Sequence, residues 1–261
     1  MMRSLYTAST GMYAQQLNVD TIAHNMSNVN TAGYKKERVE FQDLLYQIIK
    51  RPAATEEANQ PVGLTVGLGV KPVAINTLFG QGNLQQTENP LDVSITGQAF
   101  FKIQVPGYED PLYSRDGSFK LDGSGQMVTA DGNLVIGAEP IEEGATDVNI
   151  AKDGTVTYLP LGSTTPEEAG KIELSKFVNP AGLQKVGANL YQATPNSGEP
   201  VDWDSESDSS VKLESGYLEM ANVKVVEEMV SLITAQRAYD INSKVIQASD
   251  EMLQTATSLR R

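Results

Sequence analysis

Between residues 5 and 29, Leu5, Ala8, Met12, Val19, Ile22, Met26 and Val29 form a regularly spaced row of apolar positions, with Gln15 filling the gap. Their three-four alternation marks one narrow face of an α-helix. Towards the other end Val223, Val226, Val230, Ile233, Arg237, Ile241, Val245, Ala248, Met252, Thr255 and Leu259 recur every three or four residues, and Arg237 and Thr255 are the polar interruptions. The spacing predicts one helix from about Arg3 to Asn28 and a longer one opened by Asn222, whose side chain is a natural N-cap. At a rise of about 1.5 Å per residue these would reach roughly 40 and 50 Å, which outgrows a small domain. So narrow a stripe suits contact between helices better than burial under a sheet. Two arrangements satisfy it: an antiparallel hairpin inside one subunit, or a coiled-coil-like layer shared among copies. Gly11 interrupts the first seam at a cost of about 1 kcal/mol relative to Ala, and it permits a close neighbour.

Between the seams the period changes to two. Strand-like runs occupy Gly69 to Asn76, Leu91 to Ile95, Phe100 to Val105, Ser118 to Leu121, Met127 to Ala130, Leu134 to Ile136, Val148 to Ala151, Thr155 to Leu161, Ile172 to Phe177 and Leu190 to Ala193. Asp116-Gly117, Asp122-Gly123, Asp131-Gly132 and Asp153-Gly154 punctuate them with dipeptides that favour hairpin turns. Residues 34–49 read as extended at first and helical later, Pro52 to Val62 as an exposed connection, and Asp202 to Ser210 as a solvated loop around Trp203. The expected fold class is α+β: a discontinuous coiled-coil-like domain from the N- and C-terminal helices, with an inserted, mainly antiparallel β domain. The segments are 1–33 for the first helix, 34–72 for the connection, 73–215 for the β domain and 216–261 for the second helix.

Charge sharpens this division. The 261 residues carry a formal −13, yet residues 1–50 hold five Lys or Arg against four Asp or Glu, and residues 216–261 hold five against six. Residues 51–215 therefore carry essentially all of the excess. Near-neutral ends suit contact with copies of themselves, while the acidic middle is solvated and self-repelling. No basic stripe exists to neutralise phosphates, so nucleic acid is not an expected partner. No run is long and apolar enough to span a bilayer, and the first residues lack the pattern of a secretory signal. Zero cysteines exclude disulfides and thiolate chemistry.

Candidate catalytic chemistry is thin. Asp122-Gly123-Ser124-Gly125-Gln126-Met127 lacks the ligand alternation of a calcium loop, and Gly63-Leu64-Thr65-Val66-Gly67-Leu68-Gly69 lacks the Lys-Ser/Thr of a phosphate loop. His24 is the single histidine, with no nucleophile and oxyanion donors beside it. Arg237 invites pairing with a carboxylate, either inside the subunit or across an interface. No cofactor and no enzymatic activity are expected.

Motifs beside the seams carry more information. The first seam runs into Asn25-Met26-Ser27-Asn28-Val29-Asn30-Thr31-Ala32-Gly33-Tyr34-Lys35, with Gly33 placed for a left-handed helix C-cap. The second is preceded by Ser215-Gly216-Tyr217-Leu218-Glu219 and contains Gln236-Arg237-Ala238-Tyr239-Asp240-Ile241-Asn242. Asp92-Val93-Ser94-Ile95-Thr96-Gly97-Gln98-Ala99-Phe100-Phe101 and Ser114-Arg115-Asp116-Gly117-Ser118-Phe119 lie between. In this order the strings resemble the bacterial flagellar rod and hook proteins, whose terminal helices pack in a tubular core. The resemblance implies a structural subunit that polymerises helically and transmits torque. It implies as partners further copies, proximal rod proteins, the hook protein, the P and L ring proteins and the flagellar type III export apparatus, with the periplasmic basal body as the location. It marks Asn25, Asn28, Asn30, Thr31, Gly33, Tyr34, Arg237, Tyr239 and Asn242 as motif residues alongside the two seams. Another rod or hook subunit is the alternative, and a peptidoglycan-acting β-domain enzyme a more distant one.

Overall fold

The computed structural model describes residues 2–50, 53–55, 58–60, 63–142, 144–162, 165–205 and 208–258. These form two units. One comprises residues 1–27, 37–76 and 224–261, and the other residues 28–36 and 77–223.

The first unit holds two helices, α1 (Met2–Ser27) and α2 (Val225–Ser258). α1 stops where Asn28 to Thr31 turn, with the Thr31 amide donating to the Asn28 carbonyl at 3.1 Å; short polar side chains here compete with helical bonding. Glu227 and Glu228 lie in the first turn of α2, the end where the helix dipole favours negative charge. The predicted N-cap Asn222 does not cap α2. Its side chain accepts from the Lys36 amide and donates to the carbonyls of Leu78 and Gly80, all in the second unit. Gly33 likewise lies beyond the end of α1 and caps nothing there.

The rest of the first unit is a two-stranded ribbon. β1 (Glu37–Asp43) pairs with β6 (Val70–Thr77), β2 (Tyr46–Lys50) with β5 (Leu64–Gly67), and β3 (Ala53–Thr55) with β4 (Ala58–Gln60). Register runs from Tyr46 opposite Gly67 to Thr55 opposite Ala58. The helical continuation expected before residue 49 is thus replaced by strand. Phe41, Tyr46, Ile48 and Ile49 favour a pleated chain, and Leu64 to Gly67 supply the partner. Leu45, Tyr46, Ile48, Ile49, Leu64, Val73 and Ile75 are nevertheless exposed. Residues 51, 52, 56, 57, 61 and 62 of the expected connection lie outside the described residues.

The second unit is built around β9 (Phe100–Gln104), which follows β7 (Leu84–Gln86) and β8 (Val93–Thr96). β9 pairs antiparallel with β10 (Leu112–Ser114) on one edge. Beyond β11 (Lys120–Leu121) and β12 (Met127–Val128), β13 (Leu134–Val135) pairs with its other edge. β14 (Thr146–Ile150), β15 (Thr155–Leu159) and β16 (Glu167–Lys171) form a separate three-stranded sheet. β17 (Leu174–Lys176) returns to β9, and β18 (Gln184–Gly187) with β19 (Leu190–Gln192) closes the far edge against β10. β20 (Val201–Asp202) pairs with β17, β21 (Lys212–Ser215) with β8, and β22 (Tyr217–Glu219) with β7.

The core collects Phe101, Ile103, Leu112, Phe119, Ile172 and Leu174, with Phe101 and Phe119 edge-to-face at 4.9 Å. Trp203 joins it: the ring is buried and its Nε1 donates to the Asp208 carbonyl. Asp202, Asp204, Ser209 and Ser210 around it remain exposed, as expected of a solvated loop, and residues 206 and 207 lie outside the described residues. Asp122-Gly123, Asp131-Gly132 and Asp153-Gly154 turn between paired antiparallel strands as predicted, whereas Asp116-Gly117 links β10 to β11, which do not pair. There Gly117 lies against the Val93 carbonyl, where a Cβ would have no room. The Asp122 carboxylate is absorbed by its own turn, accepting from the Ser124 hydroxyl and the amides of Ser124 and Gln126. Those bonds hold it below the usual carboxylate range, the Ser124 hydroxyl foremost.

Candidate assembly surface and the neck of the β unit

The two helices of the first unit meet through small and polar side chains. Ser4 and Ser249 hydroxyls are 3.3 Å apart, and Gly11 lies against Asn242. Asn25, 0 % exposed, joins three elements. Its Nδ2 donates to the Glu37 carbonyl at 2.8 Å and, at 3.5 Å, to Glu228 Oε2, while its Oδ1 accepts from the Glu37 amide at 2.8 Å. The buried residues of α2 are Glu228, Ala235 and Ser249.

The apolar seams sit differently. On α1, Ala8 and Ile22 are buried, and Leu5, Met12, Val19 and Met26 are half-buried. On α2, Val226, Val230, Ile233, Tyr239, Ile241, Val245 and Met252 are 40 to 75 % exposed, and Arg237 is also exposed. Asn242 faces Gly11 instead. Val29 and Val223 belong to the second unit, where Ala221 and Val223 pack on Tyr34. Leu259 lies outside the described residues.

The asparagine-glycine-tyrosine motif shapes the second unit where the chain enters and leaves it. The Gly33 amide donates to the Glu219 carbonyl at 2.8 Å, and the Leu78 amide to the Lys36 carbonyl at 2.8 Å. Gly33 has φ +68°, and a Cβ there would fall 2.6 Å from the Asp116 amide nitrogen; only glycine fits. Asn28 accepts from the Thr31 hydroxyl, Asn30 is exposed, and Tyr34 is buried beneath Lys185.

At the centre of this neck is a buried charge triad. Glu219 Oε1 accepts from Lys35 Nζ at 2.6 Å and from the Gly82 amide at 2.8 Å, while Oε2 accepts from Arg115 at 3.3 Å. Lys35 also donates to the Gly80 carbonyl, and Arg115 to those of Ile95 and Gly97. Arg115 Nε is buried with no hydrogen-bond partner. Burial pushes both cations below their ordinary pKa values, against the pull of Glu219. Residue-by-residue reading missed this triad, although a signal was present. Lys35, Arg115 and Glu219 each stand within two residues of a tyrosine, inside three separate motif strings.

Among the described residues no cluster of three His, Cys, Asp or Glu could hold a metal, and no helix is long and apolar enough to cross a membrane. The class of protein follows from comparison with known families, those of the flagellar rod and hook. The family described as "Flagella basal body rod protein" matches residues 5–35, "Flagellar hook protein FlgE/F/G D1 domain" matches 94–158, and "Flagellar basal body rod FlgEFG protein C-terminal" matches 214–259. The flagellar basal-body rod protein FlgG of Borreliella burgdorferi is 47 % identical over the whole of both chains. That of Agrobacterium fabrum is 44 % identical over 96 % of this chain and 97 % of its own, and that of Bacillus subtilis is 37 % identical over the whole of both. The chain belongs to the FlgG family of flagellar basal-body rod proteins. It is a structural rod component, and its relatives are named as rod proteins rather than enzymes.

Proposed function

We propose that this chain polymerises helically into the distal rod, a stiff tubular shaft that carries torque from the motor to the hook. The observation that supports this reading best is the exposed row Val226, Val230, Ile233, Ile241, Val245 and Met252 on α2. Within the subunit the helices pair through other residues, so this row has no cover there. Burying each such side chain contributes roughly 1.5–3 kcal/mol. A neighbouring copy supplies cover repeatedly, and a head-to-tail contact that does not close into a ring gives an open filament.

In this reading the helices form the axial layer and the acidic β unit faces outwards. The partners are proximal rod proteins, the hook protein, the P and L rings and the flagellar type III export apparatus, and the location is the periplasmic part of the basal body. Because the row is uncovered in a single copy, the helices are only partly ordered before assembly. The exposed apolar side chains of the ribbon support a second contact, with β2 and β5 wedged between neighbours to resist bending.

Electron microscopy of concentrated full-length protein, beside a chain lacking residues 222–261, tests the reading. Straight tubes are expected from the full chain alone. Tubes from both samples, or none from the full chain even when seeded with proximal rod, would remove it.

A further inference from the structure

The contact between α1 and α2 repeats every seven residues. Ser4 meets Ser249, Gly11 meets Asn242, and Asn25 meets Glu228; each heptad forward on α1 is matched by one backward on α2. The same register sets Asn18 opposite Ala235, which is 3 % exposed.

The repeat alone does not select this register. A slide of one heptad, about 10 Å at 1.5 Å per residue, would bring Ser4 to Ala256, Gly11 to Ser249, Asn18 to Asn242 and Asn25 to Ala235, again all small or polar. Two rungs break the degeneracy. At Gly11 the missing side chain makes room for Asn242, with Nδ2 only 2.9 Å from where a Cβ would sit; after the slide, two amide side chains would share one rung. At Asn25 the amide is already fixed by both backbone bonds to Glu37, so its remaining donor hydrogen is held facing Glu228. After the slide Glu228 would lie beyond the end of α1 and its buried carboxylate would lose that donor.

We propose that Asn25 is the register-setting residue of the helix pair, with Gly11 as its steric counterpart. A single buried amide fixes register in coiled coils through the same asymmetry between matched and unmatched rungs. The consequence for assembly rests on the polymerisation reading: register decides which outward apolar residues of the two helices stand side by side. The register itself does not depend on it.

The chain has no cysteine, so engineered pairs report register directly. Ser4→Cys with Ser249→Cys reads the observed register, and Ser4→Cys with Ala256→Cys reads the slide. Each full-length variant is equilibrated in dilute solution in a glutathione buffer, and the effective concentration of its internal disulfide is measured. The observed pair should exceed the slid pair by about tenfold or more, and Asn25→Ala should raise the slid pair about threefold while lowering the other. Met229→Ala, on the exposed face, should change neither. Equal values in the unchanged chain, no change on Asn25→Ala, or a fall in both pairs would overturn the proposal. Filament formation plays no part in this readout, so its failure bears on assembly alone.

Discussion

At the scale of residues the neck triad is unbalanced, since one carboxylate serves two buried cations. Replacing Lys35 by Met removes one cation with its bonds to Glu219 and Gly80, but leaves Arg115 and Glu219 matched in charge and Glu219 Oε1 still bonded to the Gly82 amide. Replacing Glu219 by Gln leaves two buried cations with no counter-charge. Unmatched buried charge costs about 3–5 kcal/mol, whereas a lost neutral-acceptor bond costs about 1–3 kcal/mol. Urea unfolding followed through Trp203, the single tryptophan and part of the β core, should therefore rank Glu219→Gln well below Lys35→Met. Equal losses would mean that the charges are not effectively buried. Lys35 also sets a pH dependence. Its folded pKa lies below the ordinary 10.5, so in the window beneath 10.5 the unfolded chain binds more protons, and stability rises with pH through that window. Lys35→Met should flatten this slope. Gly33→Ala meets both a left-handed backbone and the Asp116 amide, and it should cost upwards of about 2 kcal/mol in the same unfolding experiment.

At the scale of elements, both helices were legible because a 3.6-residue period survives whatever the helix packs against. The face that α2 buries inside the subunit was not, although on α1 the seam residues Ala8 and Ile22 are buried. Hydrophobicity pointed to the row from Val226 to Met252, while the contact in the subunit runs through Ser4, Gly11, Asn25, Glu228, Asn242 and Ser249, a pattern of size and hydrogen bonding that an apolar template ignores. Gly11 was the exception, since its close neighbour was foreseeable from the absent side chain. Strands with apolar runs and Asp-Gly turns were also readable, and so was the β1 and β6 part of the ribbon, but β2 to β5 were not. A two-stranded element with exposed Ile48, Ile49 and Leu64 lacks the half-buried alternation that identifies a strand. The neck escaped because its parts lie far apart in the chain. If the ribbon stiffens the shaft, deleting residues 52–61 should yield tubes of shorter persistence length in electron micrographs, and an unchanged persistence length would exclude that role.

At the scale of the whole molecule the opposition is between apolar attraction and like-charge repulsion. The unit comprising residues 28–36 and 77–223 holds ten Lys or Arg against 22 Asp or Glu, so it carries nearly all of the formal −13. Copies brought together by the helices must crowd these acidic surfaces. The repulsion reaches about 30 Å at 0.01 M salt and about 8 Å at 0.15 M, whereas burial of Val230 or Ile241 is not weakened by salt. Raising salt across that range should accordingly lower the critical concentration for polymerisation, measured by sedimentation. A critical concentration that rises instead would mean that ion pairs between copies hold the polymer. Val230→Ser together with Ile241→Ser separates the two contributions further. It should raise the critical concentration at every salt, leave the slope with salt unchanged, and leave the Trp203 unfolding midpoint where it was, because neither side chain is buried in the single subunit.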